Sequence, residues 1–363
     1  MIKSIEIKAF RNIKDKVYNC DKDIITISGN NTVGKTNTLN AIYWCLTGCD
    51  LEGSIDNSLN IPYGEKEASV KVVLDSGIIT RTVNSDDFKV VVNVDGKDYG
   101  SKTVESKIDE LLGISELAKK DTAKFKVRRF LLNPKYYQLA SVGEFRKWFL
   151  SVMFKEKAEK DFIESSSLSE VVKKLVLTGE SLSTMSNNAN KKIKSLNAQI
   201  DKNKTIQEFL TSKCITAYNE ELAEYIKKWK LELLKLQELV VAIDEAALEV
   251  SKGYEETLKM NFPGDMVLLE KGKDDEVWKE VCYPRPFHHD LPLKSGSTAE
   301  TILVSVMFIN EFERALLNTH LPKLIDEGET LDKKSLEYLI KTNESQLFIT
   351  KVSFDMKEGI EVC

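Results

Sequence analysis

An eight-residue phosphate-binding motif of the form G-x-x-x-x-G-K-T occupies residues 29–36 and restricts the fold more strongly than any other part of the sequence. The apolar, β-type run 24–27 precedes the motif, and 37–44 continues with helical spacing. The two glycines allow a tight backbone whose amide hydrogens point at phosphate oxygens, and the helix N-terminus adds partial positive charge. We therefore expect a nucleotide site on an α/β core, formed by Gly29, Asn30, Asn31, Thr32, Val33, Gly34, Lys35 and Thr36.

The chemistry of a phosphate loop assigns roles within the motif and requires an acidic residue at the end of another strand. Lys35 would bridge the β- and γ-phosphates of ATP, and the Thr36 hydroxyl would bind Mg²⁺. The sequence supplies Asp326 and Glu327 directly after a short apolar pair. Asp326 would hold Mg²⁺, and Glu327 would orient or deprotonate the attacking water. Lys323 interrupts the apolar run before them, which is atypical of a buried strand.

The chain divides into three regions that differ in hydrophobic periodicity and in glycine and proline content. Residues 1–152 mix β-type alternation with short helical patterns, and Gly77 and Asp95-Gly96 stand where hairpin turns would join the strands of an antiparallel layer. Glycine and proline almost vanish from 153–256, where helical periodicity dominates. Residues 257–363 return to an α/β pattern with a long apolar helix and two candidate strands. We predict two α/β lobes, separated by a helical arm.

The helical region contains a heptad pattern typical of a coiled coil. Apolar residues recur at alternating spacings of four and three in its second half, at Leu222, Ile226, Trp229, Leu233, Leu236, Val240, Ile243, Ala247 and Val250. A weaker series precedes it, at Met185, Ala189, Ile193, Leu196 and Ile200. A turn between about 209 and 219 would join the two as an antiparallel helical hairpin. The alternative is a bundle packed onto the globular part, in which Tyr225 and Trp229 face a third layer.

The composition excludes several classes of protein. A hydrophobic fraction of 42% and a charged fraction of 30% are typical of globular chains, and no apolar run approaches the roughly 18 residues of a membrane span. Six cysteines without a C-x-x-C pair indicate reduced thiols rather than a disulfide scaffold. We therefore expect a cytoplasmic protein with no membrane partner. The net charge of −5 argues against general affinity for nucleic acid.

Taken together, the motifs resemble one family. Residues 5–12, the phosphate loop and the helix after it look like the N-terminal lobe of SMC-type ABC ATPases, a group that includes RecF DNA-repair proteins and SbcC-like heads that partner a nuclease. Residues 293–300 are similar to the family signature, with Ser297 where a second glycine is usual, and 324–332 resemble Walker B followed by a D-loop with Asp332. The resemblance implies the fold class α/β: an ABC-type P-loop ATPase head with a mixed sheet and an antiparallel β-layer, split by an antiparallel coiled-coil insertion.

The same resemblance implies a mechanism and further site residues. It assigns Arg11 and Asn12 to the ATP site, and it assigns Ser295 and Gly296 to a signature that caps the γ-phosphate bound by a second subunit. Two ATP molecules would then be sandwiched in an ATP-dependent homodimer that clamps or remodels DNA, with a nuclease or a recombination factor as partner. The short arm and the segment 130–137 resemble compact SbcC-like ATPases such as those encoded by phages.

Three departures from the family pattern modify these expectations. Lys351 falls where a switch histidine is usual, so the resemblance implies an altered γ-phosphate sensor and slow hydrolysis. For the Q-loop, spacing favours Asn133 and residue type favours Gln138, and the sequence does not decide between them. The arm tip near Cys214 lacks the C-x-x-C of a zinc hook, which argues against dimerisation through such a hook.

Two basic segments are candidates for contact with DNA phosphates. The first has interleaved aromatic residues and comprises Lys119, Lys120, Lys124, Phe125, Lys126, Arg128, Arg129, Phe130, Lys135 and Tyr136. The second lies on the first arm helix and comprises Lys191, Lys192, Lys194, Lys202 and Lys204. A solvated charged face is the alternative interpretation of both.

A different functional class also fits the nucleotide motif. It is a regulatory module that senses ATP to control a toxin or defence effector, without contacting DNA. A transporter ATPase subunit is disfavoured, because the heptad insertion replaces the short helical subdomain of such subunits.

Overall fold

The chain divides into two compact units in a computed structural model, which describes residues 1–30, 32–136, 142–153, 182–213, 216–261, 266–271, 278–284, 296–352 and 361–362. The first unit comprises Met1–Met153, Lys259–Met266 and Cys282–Cys363. The second comprises Phe154–Leu258 and Val267–Val281. This division assigns 267–281 to the second unit, whereas the sequence analysis placed these residues in the C-terminal lobe.

Strands and helices are numbered in chain order. The strands are β1 (Ile2–Phe10), β2 (Ile13–Asn19), β3 (Ile24–Gly29), β4 (Glu67–Leu74), β5 (Gly77–Asn84), β6 (Val90–Val94), β7 (Lys97–Tyr99), β8 (Met266–Lys271), β9 (Trp278–Pro284), β10 (Lys323–Ile325), β11 (Leu347–Val352) and β12 (Glu361–Val362). The helices are α1 (Lys35–Thr47), α2 (Ser101–Leu111), α3 (Ser115–Ala118), α4 (Val127–Leu132), α5 (Val142–Met153), α6 (Leu182–Ser212), α7 (Thr216–Asn261), α8 (Thr298–Leu316) and α9 (Lys333–Thr342). Within the described part of the chain, none of the helices is long and apolar enough to cross a membrane.

A six-stranded antiparallel sheet forms a β-layer in the first unit, in the spatial order β2-β1-β4-β5-β6-β7. Alternate residues of β4 are buried, because one face of the sheet covers the core. Val94 pairs with Lys97, so the two-residue turn Asp95-Gly96 joins β6 to β7, with positive φ angles at both turn residues. The predicted antiparallel β-layer is confirmed.

A second sheet, in the order β10-β11-β3-β12, carries the phosphate loop. The strand β11 lies between β10 and β3 and is parallel to both, while β12 pairs with β3 in the antiparallel direction. Because β3 and β10 run parallel, their carboxyl ends lie at the same edge of the sheet. This topology brings the loop after Gly29 close to the acids that follow Ile325, as the sequence predicts.

Aromatic side chains from α4, the segment just before it, α5 and α8 form a core in the first unit. Neighbouring ring centroids lie between 4.7 and 6.4 Å apart, close enough for favourable edge and offset contacts. The buried rings are Phe125, Phe130, Phe145, Trp148, Phe149, Phe308 and Phe312. Phe125 and Phe130 are 0% exposed, so these two aromatic residues of the first basic segment belong to the core.

The second unit contains the antiparallel helical hairpin that the heptads predict, formed by α6 and α7. Ser186 Oγ donates a hydrogen bond to Asp244 Oδ1 over 3.2 Å, and Lys192 Nζ lies 2.8 Å from Glu232 Oε1. Nearer the turn, an apolar cluster contains Ile200, Leu222 and Ile226. The residue numbers fall along one helix as they rise along the other, which confirms the antiparallel direction.

Candidate functional site

The phosphate loop runs from the end of β3 to the start of α1, as the motif predicts. Lys35 Nζ donates hydrogen bonds to the carbonyls of Gly29, over 2.9 Å, and Asn30, over 2.8 Å, so its ammonium group lies against the loop backbone. Gly34 has a φ of +100°, and a Cβ there would lie 2.8 Å from Asn12 Oδ1. This position therefore requires glycine. Asn31 lies outside the described residues.

Asn12 braces the phosphate loop from the turn after β1, and its neighbour Arg11 pairs with an acid instead. Asn12 Nδ2 donates to the Thr32 carbonyl over 3.1 Å, and Asn12 Oδ1 accepts from Asn37 Nδ2 over 2.8 Å. The Arg11 guanidinium lies 3.1 Å from Asp50 Oδ2. Asn12 thus lines the space beside the loop, whereas Arg11 forms a salt bridge with Asp50, a residue that the sequence motifs do not indicate.

Thr36 and Asp326 meet although they are distant in sequence. Thr36 Oγ1 donates to Asp326 Oδ1 over 3.1 Å, and Thr350 Oγ1, at the end of β11, donates to the same oxygen over 2.8 Å. Sequence reasoning considered Lys351 and missed its neighbour Thr350, although pairing of β11 between β3 and β10 could have indicated it. A hydroxyl and a carboxylate oxygen are hard ligands, and Mg²⁺ uses few protein ligands, so Thr36 and Asp326 fit this ion.

These residues line a cleft of about 290 Å³ beside the phosphate loop, which we call the phosphate cleft. Its described lining comprises Asn12, Thr32, Gly34, Lys35, Thr36, Asn37, Asp326, Glu327, Glu329 and Thr350. The lining combines donors for phosphate oxygens, ligands for a divalent cation and a carboxylate able to accept a proton from water.

Glu327 has a strained backbone that its surroundings hold in place. Its φ is +60°, in the left-handed region that residues other than glycine rarely adopt. The Glu327 N–H donates to Thr350 Oγ1 over 3.0 Å, and its carbonyl accepts from Thr330 N over 3.0 Å. A Cβ on Gly328 would overlap Ile349 Cγ2 and the Thr350 carbonyl oxygen, so position 328 also excludes larger residues. These contacts hold the backbone of Glu327, while its side chain is exposed.

The lysine that interrupts the apolar run before Asp326 is fully buried in a charge pair. Lys323 Nζ lies 2.7 Å from Glu313 Oε1, and both side chains are 0% exposed. Nζ also donates to the Leu321 carbonyl over 2.6 Å. Burial lowers the pKa of the Lys323 ammonium, and the Glu313 carboxylate opposes this shift. The pair connects α8 to β10, the strand that leads into Asp326.

The signature and D-loop positions lie at helix N-termini. Ser295 lies outside the described residues, and Gly296 directly precedes Ser297, whose hydroxyl accepts from an amide of α8 over 3.2 Å. Asp332 caps α9 by accepting from Ser335 N over 2.7 Å, and this hydrogen bond lowers the pKa of the Asp332 carboxyl. In this structure the Asp332 carboxylate therefore serves as a helix cap.

Asn133, one of the two Q-loop candidates, does not present its amide to the phosphate cleft. Asn133 Nδ2 donates to the Leu51 carbonyl over 2.8 Å, and Oδ1 accepts from Lys135 N over 3.0 Å. Lys135 reaches the acid pair instead, because its Nζ lies 2.6 Å from Glu327 Oε2. Gln138, the other candidate, lies outside the described residues.

The first basic segment does not form one charged surface, because Arg128 points inward. It is 5% exposed, donates to the Leu46 carbonyl at the end of α1 over 2.7 Å, and pairs with Asp109 over 2.9 Å and Glu105 over 2.6 Å. A cation at a helix C-terminus is favourable, which explains the placement. The hypothesis that Arg128 contacts DNA is therefore wrong.

Replacing Arg128 by methionine is expected to lower the free energy of unfolding by about 2 kcal/mol, because the buried Asp109 carboxylate loses its counter-charge. Urea denaturation followed by circular dichroism measures the change. Lys107→Met is the matched control, since it removes a lysine whose ion pair with Glu110 is exposed, and we expect no measurable change. Equal stability of the two variants would contradict the structural role of Arg128.

Comparisons with known proteins give a family and partial relatives. The model of a family described as an AAA domain matches residues 4–246. Three curated proteins named DNA replication and repair protein RecF are similar to short stretches of the chain. The protein from Acholeplasma laidlawii is 38% identical over 76 residues, or 21% of this chain and 22% of that protein. The protein from Lachnospira eligens is 37% identical over 72 residues, or 20% of each. The one from Clostridium kluyveri is 33% identical over 113 residues, or 31% of this chain and 30% of that protein.

Solved structures similar to the chain include the recombination mediator protein RecF with ATP. Its TM-score is 0.45 at 15% identity, and the match covers 100% of this chain and 97% of that one. The Smc head domain with a coiled coil and joint from Pyrococcus yayanosii has a TM-score of 0.44 at 16% identity, covering 100% of this chain and 96% of that one. The curated relatives, by contrast, are matched over only a fifth to a third of their length.

Proposed function

The chain belongs to the AAA domain family. From this membership and the similarity to RecF proteins we infer that it is an ATPase of DNA repair or recombination. We propose that its heads dimerise around two ATP molecules. The family match and the RecF relatives confirm the prediction of an SMC- and RecF-like ABC ATPase. Hydrolysis, the dimer and the contact with DNA are our proposals for this chain.

One observation supports hydrolysis above all others: Thr36 and Asp326 share a hydrogen bond of 3.1 Å, and Glu327 lines the same cleft as Lys35. The phosphate loop alone would support nucleotide binding. The added carboxylates give the cleft a cation site and a general base, which are the parts that phosphoryl transfer requires.

The proposed reaction cleaves the bond between the γ-phosphorus of ATP and the oxygen that bridges to the β-phosphate. Lys35 and the loop amides bind phosphate oxygens. Thr36 and Asp326 would hold Mg²⁺, which supplies positive charge to the β- and γ-phosphate oxygens. Glu327 accepts a proton from the water whose oxygen attacks the γ-phosphorus, and the bridging oxygen leaves with ADP.

The proposed dimer follows from the signature. Gly296 lies just before the N-terminus of α8, where amide hydrogens without helical partners can bind an anion. We assign Ser295 and Gly296 to the γ-phosphate held by a second copy of the chain. The helical hairpin would then transmit the state of the heads to DNA and to a nuclease or recombination partner. Exposed lysines of the two basic segments, such as Lys119 and Lys192, support contact with DNA phosphates.

The proposal predicts that ATP and Mg²⁺ double the molecular mass of the protein in solution. Glu327→Gln, which preserves the shape of the side chain and removes its basicity, should hold the dimer for measurement by light scattering. Ser295→Arg is the control, because an arginine in the signature would block the second γ-phosphate, and we expect it to remain monomeric. A monomer under all conditions would remove the dimer from the proposal.

A second function is a regulatory ATP-sensing module that controls a defence or toxin effector without contacting DNA. Burial of Arg128, Phe125 and Phe130 favours it, because these residues no longer contribute to a DNA surface. Stimulation of ATP hydrolysis by added DNA separates the two functions, since only the repair ATPase should respond.

A further inference from the structure

We propose that Lys135 is a positioning residue that holds the Glu327 carboxylate away from the phosphate loop and so restrains ATP hydrolysis. The proposal rests on the proposed function, because it concerns the general base of that reaction. It assigns to Lys135 a role that neither the phosphate motif nor the acid pair implies.

The first support is the position of the ion pair between two clefts. Lys135 Nζ lies 2.6 Å from Glu327 Oε2. Glu327 lines the phosphate cleft and also a second cleft of about 180 Å³, which contains Leu51, Asn133, Lys135 and Ile302 among its lining residues. Lys135 lines only the second cleft, and Lys35 lines only the first. The pair therefore draws the carboxylate towards the side that lacks the phosphate-binding lysine.

The second support is that hydrogen bonds hold the backbones of Glu327 and Lys135, so that a rearrangement of the pair needs only side-chain rotation. Glu327 is held through Thr350 and Thr330, as described above. On the other side, Lys135 N donates to Asn133 Oδ1 over 3.0 Å, and Asn133 Nδ2 is anchored on the Leu51 carbonyl. Release of the ion pair thus allows Glu327 to turn into the phosphate cleft by rotation about side-chain bonds alone.

The third support is the modest strength expected of the pair. The Lys135 side chain is 30% exposed and that of Glu327 is 53% exposed. Ion pairs with such access to water are weak, so the restraint is reversible and water can replace either partner. A fully buried pair, such as that of Lys323, would restrain the base much more strongly.

The test compares steady-state phosphate release by wild type, Lys135→Met and Lys135→Arg, with kcat and KM determined separately. Lys135→Met should raise kcat about threefold to fivefold, because the carboxylate no longer has to leave a cation before it accepts a proton. KM should stay within about twofold, since Lys135 lies outside the phosphate cleft. Lys135→Arg keeps the charge and should behave as wild type. Lys107→Met, which removes an equally short ion pair elsewhere on the same lobe, should change neither constant.

Further variants separate failure of this proposal from failure of the proposed function. Glu327→Gln must abolish hydrolysis in both the wild-type and the Lys135→Met backgrounds if Glu327 is the base. If hydrolysis depends on Glu327 but Lys135→Met leaves kcat unchanged or lowers it, the restraint is overturned and the ATPase stands. If neither wild type nor Lys135→Met hydrolyses ATP in a manner sensitive to Glu327→Gln, the proposed function fails and the restraint fails with it.

Discussion

Glu313→Ala is expected to lower the free energy of unfolding by about 3–5 kcal/mol, because it leaves the buried Lys323 ammonium without a counter-charge. The two side chains are 0% exposed and their charged atoms lie 2.7 Å apart, so water cannot replace the lost carboxylate without opening the core. Urea denaturation of wild type and variant measures the difference. Loss of the Glu313–Lys323 ion pair should also slow ATP hydrolysis, since this pair holds the strand that leads into Asp326.

A double variant tests whether the loss of stability comes from the unpaired buried charge. Replacing both partners, as Glu313→Leu with Lys323→Met, removes the charges together and should recover most of the lost stability. Glu311→Ala is the matched control on the same helix, because Glu311 pairs with Arg314 at the surface, and we expect no measurable loss. A single variant as stable as wild type would show that Lys323 does not depend on Glu313.

Glu313 has a second partner, His320, which makes the stability depend on pH. A hydrogen bond with Glu313 raises the pKa of His320, so the folded state binds a proton more tightly than the unfolded state. This contribution is fully present below the ordinary histidine pKa of about 6.5 and is lost as the pH rises through the higher folded-state value. Glu313→Ala should remove this part of the pH dependence.

Local patterns in the sequence are sufficient to predict much of the fold. The phosphate loop, the hairpin turn at Asp95-Gly96 and the heptads of the arm each depend on residues close together in the chain, and the structure contains all three. Periodicity and turn chemistry act over a few residues, which is why a single sequence reveals them.

The roles of several charged residues could not be predicted, because they depend on partners far away in sequence. Lys323 interrupts the apolar pattern of its strand, and only the fold places Glu313 beside it. Arg128 is part of a basic segment, and only the fold brings its guanidinium to the Leu46 carbonyl at the end of α1. Thr350 was missed because only strand order places it next to Asp326. Charge in a sequence therefore predicts chemistry less reliably than apolar periodicity predicts structure.

Glu327→Gln is expected to reduce ATP hydrolysis by at least about 100-fold while leaving ATP bound, because a general base contributes 10²- to 10⁴-fold to such reactions and an amide cannot accept the proton. Lys35 and Thr36 are untouched by the change, so the affinity for ATP should fall by no more than about threefold. Phosphate release measures the first quantity, and isothermal titration calorimetry with ATP and Mg²⁺ measures the second.

Glu329→Gln is the matched control, because Glu329 is an exposed carboxylate that lines the same cleft. Among the residues that the structure describes, no hydrogen bond joins Glu329 to Thr36 or Asp326. It removes one negative charge from the cleft, as Glu327→Gln does, and should retain more than about half of the wild-type rate. Similar losses in both variants would mean that the charge of the cleft, and not a base at Glu327, supports hydrolysis. Loss of binding in Glu327→Gln would instead assign Glu327 to the nucleotide site itself, and the general base would then have to be sought elsewhere.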